Sequence, residues 1–342
     1  MAKRVKVLVI DDSLVFRETI ARGIGADAGI EVVGTAADVF IARDKILALE
    51  PDVLALDVEM PKMNGIEFLK RLMPQYPLPV VVVSSVSEHV FDALAAGAVD
   101  FVTKPDGKSS QSLPAFIREL ILKVKIASTA KVGPRHDLFS TPVNAMTSGD
   151  CRLIAIGAST GGTEAIYEII HALPERMPGI VIVQHMPPVF TAMYAKRLDS
   201  ACALNVKEAE AGDEIVPGQV LIAPGGERHM QVVRQQGSYR IAFSRTPKVN
   251  GHCPSVDMLF LSVAEAVGSA AIGVILTGMG YDGAKGLFEM KQFGAMTIGQ
   301  DERTSVVYGM PKAAYDIGAV SRQAPLGQIP QLLVNAAAKR SS

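Results

Sequence analysis

Three carboxylates with the chemistry of a cation site occur at the ends of predicted strands in the first third of the sequence. Asp11 and Asp12 follow the first apolar run, and Asp57 follows the third. Converging carboxylates suit Mg²⁺, which takes oxygen ligands, and a carboxylate beside such a cation can attack a phosphoryl group. We therefore predict that Asp11, Asp12 and Asp57 bind Mg²⁺.

Two further polar residues follow the next two apolar runs. The Ser84 hydroxyl and the Lys104 ammonium stand where they can bind phosphoryl oxygens. Any one such residue more simply solvates a loop or caps a helix. All five in this order favour a phosphoryl site.

A second candidate site begins in the stretch IAIGASTGGTEAI at 154–166. Gly157, Ser159 and Gly161 form a Gly-x-Ser-x-Gly pattern between a predicted strand and a predicted helix, which is typical of an exposed nucleophile. A dinucleotide fingerprint would need glycine in place of Ser159, and a phosphate-binding P-loop would need a Gly-Lys-Ser/Thr ending. A turn that only connects two elements remains possible, so a partner base decides the question.

His185 is the best candidate for that base. It follows the apolar strand GIVIVQ and therefore falls at the same sheet edge as Ser159. His229 and His252 lie in loop-like contexts. The remaining histidines, at 89, 136 and 171, are expected to serve surface or packing roles.

Asp282 is the candidate for the acid that orients His185. It lies in TGMGYDGA at 277–284, after another apolar strand. Locally, an N-cap role for Asp282 is about as good an interpretation. The convergence of three strand ends favours a Ser159, His185 and Asp282 triad.

The elements that must position these residues form two α/β runs. Short apolar strands alternate with helical patterns over 1–125, which predicts a five-stranded doubly wound domain with a parallel sheet. Residues 126–150 are predicted to be a linker. Residues 151–338 are predicted to form a second doubly wound domain with a mainly parallel sheet and a β-hairpin around QQGS at 235–238.

The composition excludes several classes of protein. The 342 residues carry a formal net charge of −1 and three scattered cysteines, so neither nucleic-acid binding nor a disulfide framework is indicated. The apolar runs are too short for membrane insertion, and the N-terminus does not read as a signal peptide. We expect a cytoplasmic protein.

The first domain resembles the receiver domain of bacterial response regulators over residues 1–125. The resemblance lies in DVEMPKMNG at 57–65 and FVTKP at 101–105, although the segment 84–98 looks short for such a domain. It implies that Asp57 is the phospho-acceptor and that a histidine kinase is the phosphodonor.

The second domain resembles the catalytic domain of the CheB family of chemotaxis protein-glutamate methylesterases. The motifs are GASTGG, QHMP, HCPSVDMLF and TGMGYDGA, in that order. The resemblance implies hydrolysis of glutamate γ-methyl esters on chemoreceptor helices, with release of methanol, and deamidation of receptor glutamines.

Residue roles follow from the same resemblance. It implies Ser159 as nucleophile, His185 as general base and then acid, and Asp282 as the orienting carboxylate. It further implies the Met279 amide as an oxyanion donor, with His252 shaping the substrate groove.

The esterase reaction is expected to need no metal. A receiver joined to a DNA-binding output is disfavoured by the length and charge of the second domain. A receiver joined to a nucleotide-binding or other signalling module remains the alternative.

Overall fold

The computed structural model describes residues 3–61, 63–85, 89–105, 112–133 and 151–338, which fall into two compact units, before and after residue 136. The last helix of the first unit runs to Ala127, slightly into the predicted linker. Most of that linker, with His136, lies outside the described residues. Lys62 in the motif at 57–65 also lies outside them.

The first unit alternates strands and helices as the sequence predicts. Its elements are β1 (Val5–Ile10), α1 (Leu14–Gly25), β2 (Ile30–Ala36), α2 (Val39–Leu49), β3 (Val53–Asp57), α3 (Gly65–Gln75), β4 (Val80–Ser84), α4 (His89–Ala95), β5 (Asp100–Thr103) and α5 (Leu113–Ala127). The strands form one parallel sheet in the order β2-β1-β3-β4-β5. Every residue of β3 and β4 is buried, as expected for central strands covered on both faces.

The second unit is built on a larger sheet. Its strands are β6 (Leu153–Ala158), β7 (Gly179–Gln184), β8 (Asn205–Glu208), β9 (Gln219–Ile222), β10 (His229–Gln235), β11 (Ser238–Ser244), β12 (Ala271–Ile275), β13 (Met296–Gln300) and β14 (Arg322–Ala324). Its α-helices are α6 (Gly162–Ala172), α7 (Phe190–Ala201), α8 (Val256–Val267), α9 (Ala284–Gln292), α10 (Met310–Asp316) and α11 (Ile329–Ala338).

The sheet of the second unit has seven parallel strands in the order β14-β13-β12-β6-β7-β9-β8. Strands β10 and β11 form a separate antiparallel hairpin that turns at Gln236 and Gly237. The predicted fold class is therefore confirmed for both units.

The apolar patterns of the sequence do not predict four elements of the second unit. Strands β8 and β14 lie at the two edges of the sheet and read NVKE and RQA, so they carry little of the apolar pattern that marks a central strand. Helix α10 has only seven residues, too few to show a helical repeat of apolar residues. Helix α7 contains about as many polar as apolar residues, so its apolar face is not evident from the sequence. Within the described residues, no helix is long and apolar enough to cross a membrane.

Parallel strands bring the chemistry of the second unit to one place. Strand β6 pairs with β7 on one side and with β12 on the other. The carboxyl ends of all three therefore lie side by side at one edge of the sheet. This edge is the position where open parallel sheets place their binding sites.

Helix α9 packs tightly against α8 beside that edge. A Cβ added to Gly286 in α9 would lie 2.6 Å from the Cβ of Phe260 and 2.8 Å from the carbonyl oxygen of Asp257. Both distances are shorter than side-chain contacts allow. Only glycine permits this approach of the two helices.

We expect Gly286→Ala to destabilise the second unit by about 1–3 kcal/mol because the added methyl group forces the helices apart. Thermal unfolding of the full chain, followed by circular dichroism, measures the loss. Lys285→Ala is the matched control, since Lys285 is the exposed preceding residue of α9. Equal melting of the two variants would contradict the packing argument.

Candidate active site and phosphorylation site

Ser159 lies in the turn between β6 and α6. Its backbone N–H donates to the Thr277 carbonyl at 3.0 Å, and Gly161 has a φ of 77°, a conformation that glycine adopts without strain. A Cβ on Gly278 would lie 2.7 Å from the Ser159 Cβ. The turn therefore holds the half-buried Ser159 side chain against the loop that follows β12.

His185 directly follows β7, the strand next to β6. Ala158 pairs with Gln184 at the ends of these strands, and the His185 N–H donates to the Ala158 carbonyl at 3.1 Å. The buried Gln184 amide adds a hydrogen bond of 2.9 Å to the Ser159 carbonyl. Ser159 and His185 thus occupy adjacent positions at the sheet edge, as the sequence predicts.

The ring of His185 is oriented by Asp282. The distance from His185 Nε2 to Asp282 Oδ2 is 2.9 Å. An ionised carboxylate only accepts hydrogen bonds, so Nε2 carries the proton. His185 Nδ1 is buried and has no hydrogen-bond partner among the described residues. The neutral ring therefore has its basic lone pair on Nδ1.

Asp282 is almost completely buried, yet its charge is well compensated. Burial raises the pKa of Asp282, but hydrogen bonds from His185, Asn250 and Ser255 outweigh that effect and hold the pKa well below its usual range. Oδ1 accepts from Ser255 Oγ at 2.7 Å and from Asn250 Nδ2 at 2.9 Å. Asp282 is therefore ionised at neutral pH and fixes the proton on His185.

The same carboxylate caps a helix, although not the one that follows it in sequence. The Val256 N–H donates to Asp282 Oδ2 at 2.7 Å, and the Asp257 N–H donates to Oδ1 at 3.3 Å. These are the first N–H groups of α8. Helix α9 instead starts after Gly283, which gives no side-chain cap. Asp282 therefore both orients His185 and caps a helix, so the two interpretations offered by the sequence are compatible.

His252 lies directly on the ring of His185. The two ring centroids are 3.7 Å apart and the planes differ by 5°. Burial, together with repulsion from His185, lowers the pKa of His252 to about 4. His252 is therefore neutral at pH 7. The family resemblance implied that His252 shapes the substrate groove, but nothing in the sequence indicated the stacking.

His229 is part of the packing. It is fully buried and lies in β10 rather than in a loop. Its Nδ1 accepts a hydrogen bond from the Ser255 N–H at 3.1 Å, and its Nε2 is 3.2 Å from the Pro247 carbonyl oxygen. It thereby holds Ser255, whose hydroxyl reaches Asp282. Sequence reasoning missed Ser255; its signal is its place as N-cap of α8.

Two other histidines lie on the surface. His89 has its Nδ1 3.9 Å from Asp92, and His171 stacks on Tyr167 with centroids 5.3 Å apart. Each of these contacts lies within the histidine's own helix, α4 for His89 and α6 for His171.

Met279 follows Gly278, beside Ser159. Its backbone N–H donates no hydrogen bond to another backbone carbonyl in the described parts of the chain, and its side chain is exposed. An N–H group that is not used by the fold suits the binding of a developing oxyanion.

The carboxylates of the first unit converge as predicted. Oxygen atoms of Asp11, Asp12 and Asp57 lie within 4.8 Å of one another. Lys104 Nζ is 2.6 Å from Asp57 Oδ2 and 2.8 Å from Asp11 Oδ2. Burial raises the pKa of Asp57, and Lys104 opposes that rise.

Ser84 completes the predicted set at the end of β4. Its hydroxyl is buried and has no hydrogen-bond partner among the described residues. An unpaired buried hydroxyl beside a carboxylate cluster fits a site for phosphoryl oxygens, and the three carboxylates fit a hard cation such as Mg²⁺.

Comparisons with known proteins agree with this division of the chain. The family described as "CheB methylesterase" matches residues 154–333, and "Response regulator receiver domain" matches residues 7–112. A protein-glutamate methylesterase/protein-glutamine glutaminase from Syntrophomonas wolfei is 57% identical, with 97% of each chain covered. One from Syntrophotalea carbinolica is 51% identical, with 99% of each chain covered.

A solved structure covers the second unit. The crystal structure of the CheB methylesterase catalytic domain from Thermotoga maritima has 43% sequence identity and a TM-score of 0.53, and the match covers 55% of this chain and 98% of that one.

The lowered pKa of Asp282 predicts a stability that depends on pH. Its ionised form stabilises the folded state above the unfolded pKa of about 3.9, and that contribution is lost as the pH falls further. We expect Asp282→Asn to be less stable than wild type by about 1–3 kcal/mol at pH 7, with the deficit shrinking below about pH 4.

Denaturant unfolding at a series of pH values measures this deficit. Glu265→Gln, an exposed carboxylate on α8, is the control and is expected to show little change at any pH. A deficit for Asp282→Asn that stays constant as the pH falls would contradict the assignment of an ionised Asp282.

Proposed function

The chain belongs to the CheB methylesterase family, and from that premise we propose that it is a phosphorylation-regulated serine hydrolase acting on chemoreceptors. It hydrolyses glutamate γ-methyl esters with release of methanol and deamidates receptor glutamines. The substrates are the cytoplasmic helices of methyl-accepting chemoreceptors. Family membership favours this activity over the nucleotide-binding alternative.

One observation carries the proposal for the catalytic groups. His185 Nε2 is engaged by Asp282 at 2.9 Å, whereas His185 Nδ1 is buried without a partner beside the turn that holds Ser159. A base with one nitrogen oriented by a carboxylate and the other left for a hydroxyl is the arrangement of a serine hydrolase. Here the base atom is Nδ1.

The first half of the reaction transfers the acyl group to the enzyme. His185 Nδ1 takes the proton of the Ser159 hydroxyl as the Ser159 oxygen attacks the ester carbonyl. The Met279 N–H stabilises the oxyanion. The tetrahedral intermediate collapses, and methanol leaves with the proton that His185 returns. For a glutamine substrate, ammonia leaves in the same way.

The second half releases the product. Water gives a proton to His185 Nδ1 and attacks the acyl-enzyme carbonyl, and the Ser159 oxygen leaves after regaining its proton. The receptor side chain is then a free glutamate carboxylate. Asp282 stabilises the imidazolium in both halves because its charge faces Nε2.

The receiver unit supplies the regulation. Asp57 accepts a phosphoryl group from a histidine kinase, and Lys104 and Ser84 bind its oxygens. Asp11, Asp12 and Asp57 would hold Mg²⁺, which would neutralise negative charge around the phosphoryl group. The added charge beside Ser84 and Lys104 favours a second arrangement of the receiver in which the esterase is more active.

Replacing the nucleophile tests the esterase. We expect Ser159→Ala to remain folded and to lose methanol release from methylated receptor fragments by at least about 10³-fold, because the variant lacks the proposed nucleophilic hydroxyl. His185→Gln and Asp282→Asn are also expected to be severely impaired. Ser200→Ala, an exposed serine of α7, is the matched control. Near-normal methanol release by Ser159→Ala would refute the proposal.

Replacing the phospho-acceptor tests the regulation. A small acyl phosphate with Mg²⁺ is expected to activate the wild type roughly 5- to 150-fold, the range of ordinary allosteric coupling. Asp57→Asn should not respond, because it lacks the attacking carboxylate. Asp44→Asn, an exposed aspartate of the same unit, should respond like the wild type. Activation of Asp57→Asn would place the phospho-acceptor elsewhere.

A further inference from the structure

We propose that Asn250 is a positioning residue for the esterase reaction, acting by bridging two buried carboxylates, Asp282 and Asp257. This inference rests on the proposed function, since it concerns the carboxylate that orients His185. Asn250 touches neither His185 nor Ser159 through any of the hydrogen bonds described above. Its effect on catalysis therefore passes through Asp282.

The bridge uses both hydrogens of one amide group. Asn250 Nδ2 donates to Asp257 Oδ2 at 2.7 Å and to Asp282 Oδ1 at 2.9 Å. A primary amide nitrogen has two N–H donors, so one serves each carboxylate. An aspartate in this position would have no such pair of donors, and an alanine would have none.

The two carboxylates need such a bridge because both are buried. Asp257 is 3% exposed and Asp282 is 1% exposed. Burial and the charge of Asp282 raise the pKa of Asp257. The other oxygen of Asp257 accepts from the Gly286 N–H at 2.7 Å, which fixes that carboxylate at the first turn of α9. Asp257 thus provides a rigid anchor for the amide.

A tight turn places the amide. The Val249 N–H donates to the His252 carbonyl at 3.1 Å, and the His252 N–H donates to the Val249 carbonyl at 2.9 Å. Asn250 and Gly251 between them have φ values of 52° and 84°. This is the pattern of a type I′ turn, for which Asn-Gly is the favoured pair. The same turn carries His252 to the face of His185.

The bridge has a chemical consequence for Asp282. Asn250 and Ser255 donate to Oδ1, while Oδ2 faces His185 Nε2 and also accepts from the Val256 N–H. Without the amide, Oδ1 loses a donor and faces the charge of Asp257 with less compensation. The carboxylate is then less firmly oriented with Oδ2 towards His185 Nε2. The imidazole is consequently less well oriented for proton transfer.

Asn250→Gly is the direct test because glycine accepts the left-handed backbone of the turn while removing the amide. In the full-length chain we expect kcat for methanol release to fall about 10-fold or more, with KM little changed, as for the loss of a group that orients a catalytic partner. Gln236→Gly is the matched control: Gln236 has a φ of 51° in the Gln236-Gly237 turn of the β10–β11 hairpin. It should retain the wild-type kcat.

A second substitution separates charge bridging from a structural role. If Asn250 compensates two like charges, Asp257→Asn should restore part of the kcat lost in Asn250→Gly, because one of the charges is removed. A turn that matters only for folding would gain nothing from Asp257→Asn. Asn250→Asp, which keeps the shape of the side chain, should be at least as impaired as Asn250→Gly.

An NMR measurement tests the role of Asn250 without depending on esterase activity. The proton between His185 Nε2 and Asp282 is expected to give a low-field NMR signal in the intact protein, to weaken or shift in Asn250→Gly, and to persist in Gln236→Gly. An unchanged signal and a kcat within about twofold of wild type in Asn250→Gly would overturn the proposal, as would failure of Asp257→Asn to restore kcat. If the wild type released no methanol, the proposed function would fail, and the signal would still decide the role of Asn250.

Discussion

The ionised carboxylate of Asp282 is the interaction on which the catalytic unit depends. A buried charge is tolerated only where hydrogen-bond donors replace water, and Asp282 has five, from His185, Asn250, Ser255, Val256 and Asp257. These donors come from three separate parts of the chain: the end of β7, the Asn-Gly turn and the start of α8. The same charge therefore links parts of the fold to one another and orients His185, because the groups that stabilise it also determine which nitrogen of His185 carries the proton.

The two units compensate their buried carboxylates by different means, and the difference matches the roles that we propose for them. In the receiver, Asp57 and Asp11 face the cationic Lys104, which we propose to bind phosphoryl oxygens. In the catalytic unit, the donors to Asp282, apart from His185, are neutral amide and hydroxyl groups. In the proposed regulation, Lys104 exchanges these carboxylates for the oxygens of the phosphoryl group on Asp57. In the proposed mechanism, the negative charge of Asp282 faces the imidazole of His185 through the catalytic cycle.

The central strands and the polar residues at their ends were readable from the sequence, because central parallel strands are continuous apolar runs and their ends meet at one edge. Ser159, His185 and Asp282 were found on that basis. The edge strands β8 and β14 were missed because their polar residues carry no such pattern. The contact between His185 and Asp282 spans 97 residues, and local sequence does not specify which ring nitrogen makes it.

Other features depended on tertiary packing in the same way. Capping of α8 by Asp282 and stacking of His252 on His185 follow from how loops cross the sheet edge. The Asn-Gly pair at 250–251 is a turn signal that sequence reasoning had available. Its partners, however, are side chains that only the folded chain brings to it. The pattern thus predicts a turn and leaves its role undetermined.

The central claim is that Asp282 holds the proton on His185 Nε2 and leaves Nδ1 as the base. Nitrogen-15 NMR of histidine-labelled protein tests this most directly, with the His185 signals assigned by their loss in His185→Gln. At a pH where the ring is neutral, we expect Nε2 to show the shift of a protonated nitrogen and Nδ1 that of an unprotonated one. A proton on Nδ1, or rapid averaging between the two nitrogens, would contradict the account.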